Sequence, residues 1–173
     1  GGFILSATGP NYGASSTLKY NTGGTYNRSN EWNATSGSGY PASVQVSGNT
    51  TLDISAGAAG TRQISGGMTV DAGSTLTQAS SNQGLIVGGN FTLNGSYNMS
   101  TALGGDLVVR GNWSSGGSAS LTHNNRDIRF DGTGSQTISV ANNLAFGFIT
   151  IDNSGAGVDL LNPITVNTFR VNA

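Results

Sequence analysis

Short runs recur along the chain, five alternating apolar and polar residues and two continuously apolar: Val44-Gln45-Val46, Met68-Thr69-Val70, Leu85-Ile86-Val87, Leu107-Val108-Val109, Ile128-Arg129-Phe130, Ile149-Thr150-Ile151 and Phe169-Arg170-Val171. Alternation sends successive side chains to opposite faces, so each run predicts a short half-buried β-strand. A turn signal follows each of the first six: Ser47-Gly48-Asn49, Asp71-Ala72-Gly73, Gly88-Gly89-Asn90, Arg110-Gly111-Asn112, Asp131-Gly132 and Asp152-Asn153-Ser154-Gly155. With the last apolar residue of each run as a marker, the steps from Val46 to Val171 average about 21 residues, the length of one solenoid coil. A second apolar segment follows most turns, as in Thr51-Leu52-Asp53-Ile54, Ser74-Thr75-Leu76, Phe91-Thr92-Leu93, Gln136-Thr137-Ile138 and Ile164-Thr165-Val166.

This recurrence predicts an all-β fold, a right-handed parallel β-helix (β-solenoid) with coils of about 21 residues and two or three strands per coil. Stacking pairs each strand in register with its counterpart one coil away and converts alternation into an inner and an outer face. No coil buries enough apolar surface to offset its own conformational entropy, so the coils are expected to stand only as a stack.

The first forty residues have a different character. Tyr12, Tyr20, Tyr26, Trp32 and Tyr40 concentrate there, while the strand candidates are few, Phe3-Ile4-Leu5 and Thr17-Leu18-Lys19-Tyr20. The expected division is therefore 1–40 as irregular first coils or a cap, and 41–173 as regular solenoid. Tyr12, Tyr26, Trp32 and Tyr40, with Arg28 and Glu31 nearby, are also candidate glycan or partner contacts, because such rings offer an apolar face with a polar edge.

Composition narrows the function classes. Only 9% of the 173 residues are charged, and the 28 glycines are accompanied by abundant Ser, Thr and Asn. A net charge of −1 leaves no cationic footprint, so neither nucleic acid nor an anionic membrane is an expected partner. No apolar run is long enough to span a bilayer, so no membrane insertion is expected. With no cysteine there is neither disulfide framework nor thiolate metal site. The chain starts without a leader or initiating Met and stops two residues after a strand, which reads as a piece of a longer polypeptide.

The Val-x-Gly-Asn signature at Val46, Val87 and Val109 predicts equivalent left-handed corners at Asn49, Asn90 and Asn112, with side-chain amides bonding between coils. Candidate chemistry is sparse. His123 lies in a polar loop without a second His at ligand spacing. Asp131 and Asp152 follow marker residues one coil apart, and Asp71 shares their apparent phase, yet Gly88 and Arg110 interrupt the row. A glycosidase needs two convergent carboxylates, and this broken row is read as chance. The EF-hand and Gly-Gly-x-Gly-x-Asp calcium motifs are absent. No catalytic residue, metal or cofactor is expected.

The stretch Ile128-Arg129-Phe130-Asp131-Gly132-Thr133-Gly134-Ser135-Gln136-Thr137-Ile138-Ser139, then Phe148-Ile149-Thr150-Ile151-Asp152-Asn153-Ser154, Val158-Asp159-Leu160 and Pro163-Ile164-Thr165-Val166, resembles repeats of giant secreted Bacteroidetes surface proteins. The upstream Trp113 fits, as do Leu18-Lys19-Tyr20, Tyr26-Asn27-Arg28-Ser29-Asn30-Glu31-Trp32 and Gly39-Tyr40-Pro41, while Ile149 replaces the usual Leu. The resemblance implies type IX export from a Gram-negative bacterium, an extracellular or cell-surface location, and a role in adhesion, gliding or matrix formation.

The leading expectation is a non-enzymatic structural or adhesive module that continues or self-associates into a fibre. A carbohydrate-active or carbohydrate-binding β-helix stands second. An ice-binding solenoid stands third. Thr50-Thr51 and Thr75-Leu76-Thr77 place hydroxyls on strands, but Phe91-Thr92-Leu93 and Trp113-Ser114-Ser115 are expected to break any such array.

Overall fold

A computed structural model describes residues 8–57 and 60–172. They form an all-β, parallel solenoid of about seven turns, with coils about 22 residues apart. The first turn holds β1 (Thr17–Tyr20), β2 (Thr25–Asn27) and a 3-10 turn, Asn30–Trp32. Four complete turns follow: β3 (Ser43–Val46), β4 (Thr51–Asp53) and β5 (Arg62–Ile64); β6 (Met68–Val70), β7 (Thr75–Thr77) and β8 (Leu85–Val87); β9 (Phe91–Leu93), β10 (Ser96–Asn98) and β11 (Leu107–Val109); β12 (Trp113–Ser115), β13 (Ser120–Thr122) and β14 (Asp127–Phe130). The last turns are two-stranded, with β15 (Gln136–Val140) and β16 (Ala145–Ile151), then β17 (Val158–Leu160) and β18 (Thr165–Val171).

Three sheets result. The seven-stranded sheet runs β1-β3-β6-β9-β12-β15-β17, the five-stranded sheet β13-β10-β7-β4-β2 and the six-stranded sheet β18-β16-β14-β11-β8-β5. Every pairing is parallel. Most strands are triplets because a Gly, Asn or Ser corner interrupts the chain before a longer run accumulates. Inward rows carry the large side chains: Val44, Met68, Phe91, Trp113 and Ile138 are all buried at one register position of the seven-stranded sheet. Phe91 stacks on Trp113 with centroids 4.8 Å apart and planes 5° apart, and Phe146 meets Trp113 edge-on at 5.6 Å. Such contacts bind one coil to the next.

Gln136 clamps three successive coils. Its Nε2 donates to the carbonyls of Val109 (3.0 Å) and Gly111 (2.6 Å), while its Oε1 accepts from the Gly132 N–H and from Asn153 Nδ2. The side chain is buried, so all of its polar capacity is spent on holding corners together.

The strand positions agree with the alternating runs, but the phase does not. Val46 and Val70 belong to the seven-stranded sheet, whereas Val87, Val109, Phe130, Ile151 and Val171 belong to the six-stranded one. The single marker series therefore changes sheet between Val70 and Val87. Ile164-Thr165-Val166 is likewise not a separate second strand; β18 runs from Thr165 through Val171. The triplets Arg62–Ile64, Ser96–Asn98 and Ser120–Thr122 carry too few apolar residues to stand out by period, and they complete the sheets. Phe3-Ile4-Leu5 lies outside the described residues.

Candidate functional site

The aromatic first coil is organised around a buried polar plug. Ser29 donates its backbone N–H to both oxygens of Glu31 (2.9 and 3.0 Å), and Tyr20 donates its hydroxyl to the same carboxylate at 3.1 Å. Arg28, also buried, donates to the carbonyls of Ile54 (3.1 Å), Trp32 (2.8 Å), Ser29 (3.2 Å) and Ala56. Burial opposes the charged guanidinium and lowers the Arg28 pKa, while Tyr20, Glu31 and Asp53 pull it back. Burial also brings Arg62, in the next coil, down to about 10, with the charge of Arg28 adding to the effect.

This plug decides the fate of the four aromatic candidates. Trp32 is completely buried, and its Nε1 donates to the carbonyl of Gln63 at 2.9 Å, so it is a core residue and not a contact surface. Tyr26 packs its ring 5.4 Å from that of Tyr20, on the inward row of the five-stranded sheet. Tyr12 and Tyr40 alone come together, lining a hollow of about 250 Å³ with Asn11, Gly13 and Ser65. The Tyr12 hydroxyl donates to the Glu31 carbonyl at 2.6 Å, and Tyr40 accepts from Gln63 Nε2 at 3.2 Å. Burial and the charge of Glu31 push the Tyr12 pKa up to about 12.

The asparagine corners are not one set. Asn49 has φ 57° and turns the chain from the seven-stranded to the five-stranded sheet, as a left-handed corner should. Asn90 and Asn112 instead precede β9 and β12, at the corner leaving the six-stranded sheet, and neither is left-handed. Their side chains do reach the next coil: Asn90 Oδ1 accepts from the Asn112 N–H and Asn112 Oδ1 from the Thr137 N–H, both at 2.9 Å. The partners are backbone amides, so this is a staircase and not an amide ladder.

The change of phase also separates Asp71 from Asp131 and Asp152. Asp71 accepts from Gln45 Nε2 at 2.8 Å beside the seven-stranded sheet. Asp131 and Asp152 occupy successive positions at the end of the six-stranded sheet, and each faces a cation, Arg110 at 3.3 Å and Arg129 at 3.5 Å respectively. A second acid pair escaped the sequence reading. Asp106 Oδ1 accepts the Asp127 N–H at 2.8 Å, and Asp127 accepts from the Thr150 hydroxyl at 3.0 Å. Burial chiefly, with some help from Asp106, raises the Asp127 pKa against the opposing Thr150 bond, Arg129 and Arg170. Asp106, Asp127 and Arg129 edge a hollow of about 230 Å³ floored by Ile86 and Val108. His123 caps its own turn, with Nδ1 accepting from the Asn125 N–H at 3.0 Å.

No family model, curated protein or solved structure matches the chain. Among the described residues no helix is long and apolar enough to cross a membrane, and no three ligand-type side chains converge on a metal position.

The outer face of the five-stranded sheet corrects a further expectation. Phe91-Thr92-Leu93 and Trp113-Ser114-Ser115 are β9 and β12 of the seven-stranded sheet and interrupt nothing on this one. Here Thr25, Thr51, Thr75, Ser96 and Ser120 align in one row, and Asn27, Asp53, Thr77, Asn98 and Thr122 in a second. Between them an inward row of Tyr26, Leu52, Leu76, Tyr97 and Leu121 packs on the core. The five hydroxyls of the first row bond to none of the described residues. On the seven-stranded sheet, by contrast, Ser114 donates to the hydroxyl of Thr92 at 3.2 Å.

Proposed function

We propose that the chain is a non-enzymatic structural and adhesive module of a large extracellular surface or fibre protein, extended coil upon coil. The observation that carries this reading is the state of the last turn. Leu160, Phe169 and Val171, at inward register positions, are 46%, 43% and 68% exposed, while one coil earlier Ile138 and Ile149, the counterparts of Leu160 and Phe169, are buried and Ile151, the counterpart of Val171, is partly buried. β17 and β18 are also edge strands with unpaired backbone groups, a template for another strand. Few charges guard that edge. The occupant that fits is a parallel coil of a second copy of the chain. The likeness of the repeats to Bacteroidetes surface proteins supports export and a cell-surface location.

Sedimentation velocity and electron microscopy test the reading. The chain should associate end to end as concentration rises, and Val171→Lys should abolish this without lowering the melting temperature. A chain that remains monomeric at all concentrations speaks against it.

A second reading, glycan contact, is favoured by one observation, the pairing of Tyr12 with Tyr40 around a single hollow. A polysaccharide array should then show retention that Tyr40→Ala removes.

A further inference from the structure

The outer face of the five-stranded sheet has no role in assembly through the open end, and its chemistry is unlike that of its neighbours. Neither of its two rows contains a Lys or an Arg, although seven such residues occur in the chain. Its one formal charge, Asp53, is occupied by its own turn, with Oδ1 accepting from the N–H and hydroxyl of Ser55. What remains is a strip of hydroxyls, amides and threonine methyl groups without an aromatic platform.

The spacing of this strip is set by the backbone. Each triplet pairs residue for residue with the next and no bulge intervenes, so the rows run straight across five strands. Adjacent strands lie about 4.8 Å apart. Two O–H···O bonds of about 2.75 Å meeting at the tetrahedral angle put their outer oxygens about 4.5 Å apart. One water can therefore bridge each pair of neighbouring hydroxyls in nearly the geometry that water adopts in its own tetrahedral lattice. The mismatch, about 0.3 Å per step, is absorbed by lengthening each O–H···O bond to about 2.9 Å, inside its ordinary range.

Three further features favour a lattice over liquid water. The hydroxyls of Thr25, Thr51, Thr75, Ser96 and Ser120 have no partner among the described residues, so the water they bind is not in competition with internal bonds. Leu52, Leu76 and Tyr97 beneath them are completely buried, which holds the strip stiff. Threonine is β-branched, so its hydroxyl is confined to few directions, and its methyl group leaves no alternative donor or acceptor.

We infer that this face binds ice, the row of hydroxyls on Thr25, Thr51, Thr75, Ser96 and Ser120 serving as a template for lattice-ordered water. The inference stands on the geometry of the face and does not depend on end-to-end assembly.

Nanolitre osmometry with microscopy of single ice crystals tests it. The chain should shape growing ice and separate freezing from melting temperature. Thr75→Tyr, at the centre of the first row, should lose both effects, while Thr69→Tyr, on the outer face of the seven-stranded sheet, should keep them. Ser96→Tyr substitutes if Thr75→Tyr fails to fold by circular dichroism. Absence of ice shaping by the unmodified chain overturns the proposal, as does equal loss in the Thr69 and Thr75 variants. Retention of a hydroxyl-rich polysaccharide on this face, without any effect on ice, overturns it too and assigns the face to a glycan.

Discussion

The two ends of the solenoid solve the same problem in opposite ways. In the first described turn Trp32, Tyr20, Arg28 and Glu31 are all buried. At the C-terminal end the last turn leaves Leu160, Phe169 and Val171 open beside two unpaired strand edges. The first turn buries Arg28 and Glu31 with their hydrogen-bond partners; among the described residues the last turn buries no polar side chain. A stack of coils has no closed surface of its own, so each end needs either a dedicated plug or another coil. The two turns thus differ in what they bury, although β1 and β2 in the first are edge strands just as β17 and β18 are in the last.

Removing a charge from each end sharpens this contrast most. Arg28→Ala strips the hydrogen-bond partner from four carbonyls and deprives Glu31 of a nearby cation, so it should cost about 3–5 kcal/mol in urea unfolding. Arg170→Ala, at the open end, removes only an exposed cation 4.9 Å from the Phe148 ring centroid and should cost at most about 1 kcal/mol. Equal losses would mean that the plug is not a distinct element.

Alkaline pH should separate the ends next. Burial first, and Glu31 second, raise the pKa of Tyr12 to about 12, with Tyr20 and Tyr26 shifted in the same direction. A folded-state value above the unfolded one stabilises fully below the ordinary tyrosine pKa of about 10, and that stability is lost as pH rises through the folded value. No tyrosine follows Tyr97. Between pH 10 and 12 the emission of Trp32, read in a Trp113→Phe background, should therefore shift before that of Trp113 read in Trp32→Phe. Simultaneous shifts would show one cooperative unit without a separable cap.

The smallest effect concerns Asp127, nearer the open end. Its raised pKa means that folding disfavours the ionised form, so its contribution to stability falls as pH rises through the folded value. Asp127→Asn keeps an acceptor for Thr150 and should raise stability at pH 7 by less than about 1 kcal/mol, the scale of a half-exposed charge. At a pH low enough to protonate the carboxyl the advantage should vanish.

Much of this architecture was legible in the chain. Alternation in Val44–Val46, Ile128–Phe130 and Phe169–Val171 marks strands because side-chain direction has a period of two, whatever the partner strand. The Gly and Asn corners mark their ends, and near-constant spacing marks a stack. These are local properties, and local sequence suffices for them. Which sheet receives a triplet is not local. It depends on how many residues each corner consumes, and the jump from Val70 to Val87 crosses between sheets without changing the hydrophobic pattern. Three site-level misreadings follow from that phase: Asn49 grouped with Asn90, Asp71 with Asp131, and β9 and β12 set against a hydroxyl array to which they do not belong. Ser96-Tyr97-Asn98 and Ser120-Leu121-Thr122, with one apolar residue each, look like turns until the coils above and below give them partners. Sequence determined that the chain coils, where it bends and what it buries; the stacking of coils decided which side chains share a face, because only inter-coil pairing brings residues some 22 positions apart into one row.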